Sequence, residues 1–364
     1  MNSRAKIDRF FLLTTGALAI AGFVIFLSAS LGLLTQNGAN FGTIALKQMI
    51  SLILGGVLFF VISKIKYTNW RKLAFFIFFG AVAVNLLLFI PSLTLHYNGA
   101  SRWLSFGLLS FQPSELLKIG FIIYLSAWIH FARDRIRTFR FGLVPYIVLM
   151  SILGVLLLIQ SDTDTLVIIG ATGIAMLFIA GLPLRYIMTA GLFGVILVVS
   201  VVFLRPYAME RVKVFFDRNT NTQGSSYQIN QSLIAIGSGG LFGRGFGQSI
   251  QKFGYLPQPT DDSIYAVAAE EFGFFGSMIL LTFYALFVGS AFRVGTRAQD
   301  SFGAAVATGI AILVVSESFL NIAAMLGLVP VSGLPLLFVS NGGTALVITL
   351  ASAGIVANIS KYKK

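Results

Sequence analysis

The chain has 364 residues, of which 57% are hydrophobic and only 11% charged, with a formal net charge of +13. A mean hydropathy of +0.88 lies outside the soluble globular range, so the sequence reads as a polytopic membrane protein. Cysteine is absent, which excludes disulfides, a thiolate nucleophile and a cysteine-held zinc site.

Apolar runs of about 18 residues or more can cross a hydrocarbon core. They predict ten transmembrane helices with cores at 10–33, 44–63, 73–91, 113–131, 141–159, 165–181, 186–204, 264–292, 302–327 and 336–358. The first run follows Arg4, Lys6 and Arg9 but exceeds the apolar length of a signal peptide, and is read as a retained helix. With the N-terminus inside, Lys and Arg concentrate in that tail, in the 64–72 and 132–140 loops, at Arg185, Arg293 and Arg297, and in the tail Lys361, Lys363 and Lys364. This alternation places both termini in the cytoplasm. The basic excess thus belongs to topology, and no nucleic-acid partner is expected.

Residues 205–262 form one long outer loop between the seventh and eighth spans, of a length that usually carries function. Apolar spacing at Ile229, Leu233 and Ile236 predicts a short helix near the membrane surface. The glycines from Gly237 to Gly247 then predict tight turns and a close approach of backbone to a helix or ligand. No strand precedes them and no Gly-Lys-Ser/Thr ending follows, so a nucleotide loop is not supported.

Ionisable residues at membrane depth are costly and need a reason. Glu115 and Lys118 share a helix face and can pair, as a structural ion pair or as a substrate contact. Lys47 and Glu317 read as single charges that find partners in the bundle. Asp162 and Asp164 lie in the short turn before the sixth span, where capping explains one of them. His130 sits at an inner helix end, suited to a dipole or interface role. No His-x-x-x-His or Glu-x-x-His spacing occurs, so zinc and other dedicated transition-metal sites are not expected. The outer side gathers Asn98, Arg102, Trp103, Gln112 and Ser114, with Arg205, Arg211, Lys213, Arg218, Arg244 and Lys252 in the long loop. Such cations run against the positive-inside bias and suit anionic headgroups or a pyrophosphate. Asp261 and Asp262 precede the eighth span, where capping would account for one aspartate. Glu270 and Glu271 follow about 12–14 Å further in.

The segments "NGASRWL…QPSELLK", "YQINQSLIAIGSGGLFGRGFGQSIQKFGYLP", "DDSIYAVAAEEFG" and "NIAAMLGLVPVSGLPLLFVSNGGTAL" resemble, in order and spacing, the SEDS family (shape, elongation, division and sporulation), closer to its division branch (FtsW-like) than its elongation branch (RodA-like). The likeness spans residues 1–364 as one domain. It implies an all-α integral membrane fold of ten helices. The implied activity is an inverting peptidoglycan glycosyltransferase that polymerises undecaprenyl-pyrophosphate-linked lipid II at the outer face of the bacterial cytoplasmic membrane. Implied partners are a class B penicillin-binding protein and other division or elongation membrane proteins. The resemblance puts the catalytic aspartate at Asp262, with Asp261 in the place of a threonine.

Substrate contacts are expected from Arg102, Gln112, Ser114, Glu115, Lys118, Gln251, Lys252, Tyr255, Ser340, Gly342 and Gly343, and support from Asp162, Glu270 and Glu271. Arg102, Lys118, Lys252 or a divalent cation would neutralise the leaving pyrophosphate. Magnesium or manganese suits a hard oxygen ligand such as Asp262, whereas neither nucleotide nor haem is required. The sequence departs from the family at "QSDTDT", where Ser161 replaces proline and Asp164 replaces glycine. It departs again at Ser263, Leu337 and Asn341, which replace phenylalanine, proline and tyrosine. A lipid II flippase and a non-catalytic division scaffold are the competing readings.

Overall fold

A computed structural model describes residues 6–35, 41–97, 100–106, 109–217 and 224–362. Arg4, Asn98, Arg218, Lys363 and Lys364 lie outside the described residues. Among the described residues twelve α-helices follow in chain order: α1 (Arg9–Ser30), α2 (Phe41–Lys64), α3 (Tyr67–Leu86), α4 (Pro113–Ala132), α5 (Val144–Ile159), α6 (Thr163–Ile179), α7 (Leu184–Leu204), α8 (Pro206–Phe216), α9 (Ser225–Ser238), α10 (Ile264–Thr296), α11 (Ser301–Met325) and α12 (Gly343–Ile359). Among the described residues, eight helical segments are long and apolar enough to cross a membrane, while α6 and α12 are shorter apolar helices. Each of the ten sequence runs overlaps one of these helices.

The all-α class holds, with one small addition. Between α3 and α4 lies a three-stranded antiparallel sheet in the order β1 (Thr94–Tyr97), β2 (Ala100–Phe106) and β3 (Leu109–Phe111). Thr94 pairs with Leu104, and Leu104 with Phe111. Strands this short leave no long apolar run, and pairing satisfies their backbone groups. The long loop carries two helices, α8 and α9, where one was expected. The last helix starts at Gly343, later than its predicted core, because residues 330–342 run without helix. Within that stretch Phe338 has φ +70°, a left-handed conformation that no bulky residue adopts without support.

Burial sorts the helices. Along α4 and α11 most side chains are enclosed, whereas α7 buries only Ala190. Exposed Phe76, Phe193 and Phe203 suit a lipid environment and would be a liability in water.

The eighth predicted span is not one straight rod. Gly273 breaks α10 with φ +66°, and the glycine loop inserts there. Arg244 N donates to Glu270 O (3.0 Å), Gly245 N to Glu271 O (2.9 Å) and Phe274 N to Gly240 O (2.9 Å). A Cβ on Gly243 would stand 2.1 Å from Glu271 O, and one on Gly239 2.1 Å from Ala269 O. These glycines are therefore required by close packing of the loop on α10.

Candidate active site

Asp262 lies just before α10 and is 7% exposed. Its Oδ2 accepts from Gln228 Nε2 on α9 (3.1 Å), and the same amide donates to Ser263 Oγ (2.9 Å). Its Oδ1 is buried with no hydrogen-bond partner among the described residues. Asn321 on α11 fixes the backbone, donating to Asp262 O and Leu334 O, both at 2.8 Å. Burial pushes the Asp262 carboxyl up to about 6, against the opposing effects of the Gln228 hydrogen bond, the backbone N–H groups of Asp262 and Ser263, and the Arg211 charge. Burial and the neighbouring Asp262 raise Asp261 to about 7, opposed by Asn341. Adjacent acids in one low-dielectric site resist ionising together.

The loop before α12 clamps this pair. Ser340 Oγ donates to Asp261 O (2.5 Å) and Asn341 N to Thr260 O (2.7 Å). Gly342 N turns back to Ser340 O (2.8 Å), and Gly343 packs so closely that a Cβ would meet Ser51 Oγ at 2.9 Å. Gln112 N donates to Thr344 Oγ1 (3.4 Å), linking the start of α4 to the same region.

Deeper in the bundle, Lys118 binds Glu115 (2.9 Å) and both oxygens of Glu317 (2.8 and 2.7 Å). All three side chains are buried, so the ammonium is matched by two carboxylates. Glu317, read from sequence as a lone charge, completes the cluster. Ser114 Oγ is buried without a partner among the described residues. Arg102 donates to Ser161 O and pairs with Asp162 at 3.8 Å. Asp164 pairs with Arg211 at 3.0 Å and accepts from Gly333 N at 3.3 Å.

A separate cluster forms around the break in α10. Lys252 is fully buried, with Nζ 2.6 Å from Glu271 Oε1 and 3.0 Å from Ser28 O on α1. Glu270 accepts from Ser249 Oγ (2.5 Å), Ile250 N (3.1 Å) and Gln251 N (3.3 Å). The structure thus brings Lys252 and Gln251 to the glutamates and not to Asp262. A buried ammonium needs a carboxylate beside it, and Glu271 supplies one. Tyr255, in the same loop, is exposed.

Sequence reasoning gave no role to Gln228 or Asn321. Both are polar side chains on predicted helices, a signal too common to single them out. Arg211 was one of many outer cations. Its pairing with Asp164 joins two elements distant in the chain.

For a divalent cation, the unpartnered Oδ1 of Asp262 is a fitting hard ligand. Among the described residues no group of three or more His, Cys, Asp or Glu could hold a metal ion. Protein ligation would therefore have to be sparse.

Residues 8–364 match the cell cycle protein family of FtsW, RodA and SpoVE. The chain belongs to this family. It is 37% identical over 356 residues to a probable peptidoglycan glycosyltransferase FtsW of Trichlorobacter lovleyi, covering 98% of this chain and 93% of that one. A similarly named protein of Geobacter sp. (strain M18) is 36% identical over 314 residues, with 86% of each chain covered. Stage V sporulation protein E of Bacillus subtilis is 33% identical over 320 residues, covering 88% of this chain and 87% of that protein. Among solved structures, a chain of a peptidoglycan synthase complex that coordinates polymerization and crosslinking superposes with a TM-score of 0.80. It is 25% identical and covers 98% of this chain and 99% of its own. The rod shape determining protein RodA of Thermus thermophilus gives 0.72 at 25% identity, with 98% of both chains covered. The Trichlorobacter lovleyi protein and both solved structures each match 98% of the chain.

Proposed function

We propose that the chain is a peptidoglycan glycosyltransferase that polymerises lipid II at the outer face of the cytoplasmic membrane, with Asp262 as the base. The observation that carries this is the Asp262 carboxylate: buried, held through Oδ2 by Gln228, and with Oδ1 unpartnered. A base must reach the proton that it takes and have a pKa near the working pH. The unpartnered oxygen supports the first requirement and a carboxyl raised to about 6 supports the second.

Forming a β-linkage from an α-linked pyrophosphate donor is a single inverting displacement. The acceptor hydroxyl attacks the anomeric carbon, Asp262 Oδ1 takes its proton, and the pyrophosphate leaves with the electron pair of the broken C–O bond. Gln228 and Asn321 hold the base in place from α9 and α11. Ser340 and Asn341 fix the preceding backbone. A magnesium or manganese ion, if held by Asp262, would supply charge neutralisation for the leaving pyrophosphate.

In this reading α1–α7 and α10–α12 make ten crossings with both termini inside, α8 and α9 lie on the outer side, and a class B penicillin-binding protein cross-links the product. The biased placement of Lys and Arg supports that orientation. The synthase complex among its structural relatives supports such a partner. The test supplies lipid II to the purified chain in vesicles and follows both glycan product and lipid translocation. Glycan without net translocation supports the polymerase; translocation without glycan supports a flippase, and neither would leave a scaffold.

A further inference from the structure

The displacement above leaves the departing pyrophosphate without an assigned cation. Three sequence candidates are committed elsewhere: Lys118 to Glu115 and Glu317, Lys252 to Glu271 and Ser28, and Arg102 to Asp162 and the Ser161 carbonyl. Arg211 is also paired, with Asp164, but unlike the other three it lines a groove. It lies on α8, which packs against α9, the helix that holds Asp262 through Gln228, and the groove it lines is of about 190 Å³. The walls of that groove include Val167 of α6, Leu197 and Val201 of α7, and Leu320 of α11, while Asp164, Arg211 and Ser332 supply polar groups. An apolar trough that also carries a guanidinium matches a prenyl chain joined to phosphate.

Asp164 fixes the guanidinium. Its Oδ2 receives Arg211 Nη1 at 3.0 Å and the Gly333 amide at 3.3 Å, and the two side chains are only 17% and 13% exposed. Asp164 also lies in the first turn of α6, where the helix end favours an anion. The carboxylate is therefore anchored by α6 and by the loop before α12, independently of the arginine. Ser332 Oγ, next to that loop amide, is buried without a partner among the described residues.

We propose that Asp164 is a positioning residue that holds Arg211 at the groove, where the guanidinium binds the pyrophosphate of the lipid-linked donor. This rests on the glycosyltransferase reading. As the anomeric C–O bond breaks, its electron pair passes to the pyrophosphate oxygen and Arg211 meets the new charge. The acceptor proton goes to Asp262, and no further reactant is required.

The test uses the full chain with its penicillin-binding partner in nanodiscs. It measures kcat and KM for lipid II, together with binding of undecaprenyl pyrophosphate in an Asp262→Asn background that needs no turnover. Arg211→Gln should lower kcat/KM by roughly 100-fold or more, and Asp164→Asn by about 10–100-fold with the larger part in kcat. Both should weaken undecaprenyl pyrophosphate binding. The decisive variant is the charge swap Asp164→Arg with Arg211→Asp, which restores a pair but removes the arginine from α8. It should recover the thermal midpoint lost in Asp164→Arg alone without recovering turnover or binding. Recovery of turnover by the swap, or unchanged turnover and binding in Asp164→Asn, would overturn the proposal. If the swap does not fold, Asp164→Asn and Arg211→Gln decide alone. An Asp262→Asn chain that still polymerises would instead sink the base assignment, while the binding measurement continues to report on Arg211 and Asp164.

Discussion

Burial raises the Asp262 carboxyl from its ordinary 3.8 to about 6, so the same environment sets activity and stability in opposite directions. The base must be ionised, and kcat/KM for lipid II should rise with pH through an acid limb near 6. Stability runs the other way. A folded-state pKa above the unfolded one favours folding below about 4, and that contribution is lost as pH rises through about 6. Asp262→Asn should accordingly raise the thermal midpoint at pH 8 relative to wild type, read by scanning fluorimetry in detergent. Lys252 offers a contrast, because its pairing with Glu271 is enclosed on every side. Lys252→Met leaves a buried carboxylate unmatched and should cost about 3–5 kcal/mol. Lys252→Met with Glu271→Leu should regain most of that while still polymerising, which a substrate-binding lysine would not permit. The position of Asp262 at a helix mouth was legible from hydropathy and from motif likeness. Its hold by Gln228 and Asn321 was not, because both contacts join residues far apart in the chain.

The break in α10 shows why a long apolar run is an incomplete description of an element. Hydropathy reads residues 264–292 as continuous, but Gly273 adopts φ +66° and lets the glycine loop bond to backbone on either side of it. Gly243→Ala combines a φ of +78° with a Cβ 2.1 Å from Glu271 O. It should destabilise the protein by at least about 1–2 kcal/mol, seen as a lowered thermal midpoint. The turn between α5 and α6 carries the opposite opportunity. Ser161 has φ +57°, so Ser161→Gly should stabilise by about 1 kcal/mol. Ser161→Pro should destabilise strongly, because proline fixes φ near −65°. The sheet β1–β3 was invisible to a search for apolar runs, since short strands gain their stability from pairing across the chain.

At the scale of the whole molecule, alternating basic loops and apolar runs carried most of the architecture, and each run overlaps a helix of the fold. The absence of cysteine makes orientation directly measurable. A single cysteine at exposed Tyr255 should react with a membrane-impermeant maleimide in intact cells. One at Arg135, in the predicted inner loop and also exposed, should react only after lysis; the reverse pattern would invert the topology. The central claim concerns chemistry at the outer end of this bundle. It is tested most directly by glycan strand formation from defined lipid II by the purified chain with its penicillin-binding partner, comparing wild type with Asp262→Asn. The account predicts strands from wild type and a loss of at least about 100-fold in the variant. Wild-type strand formation by Asp262→Asn would contradict it.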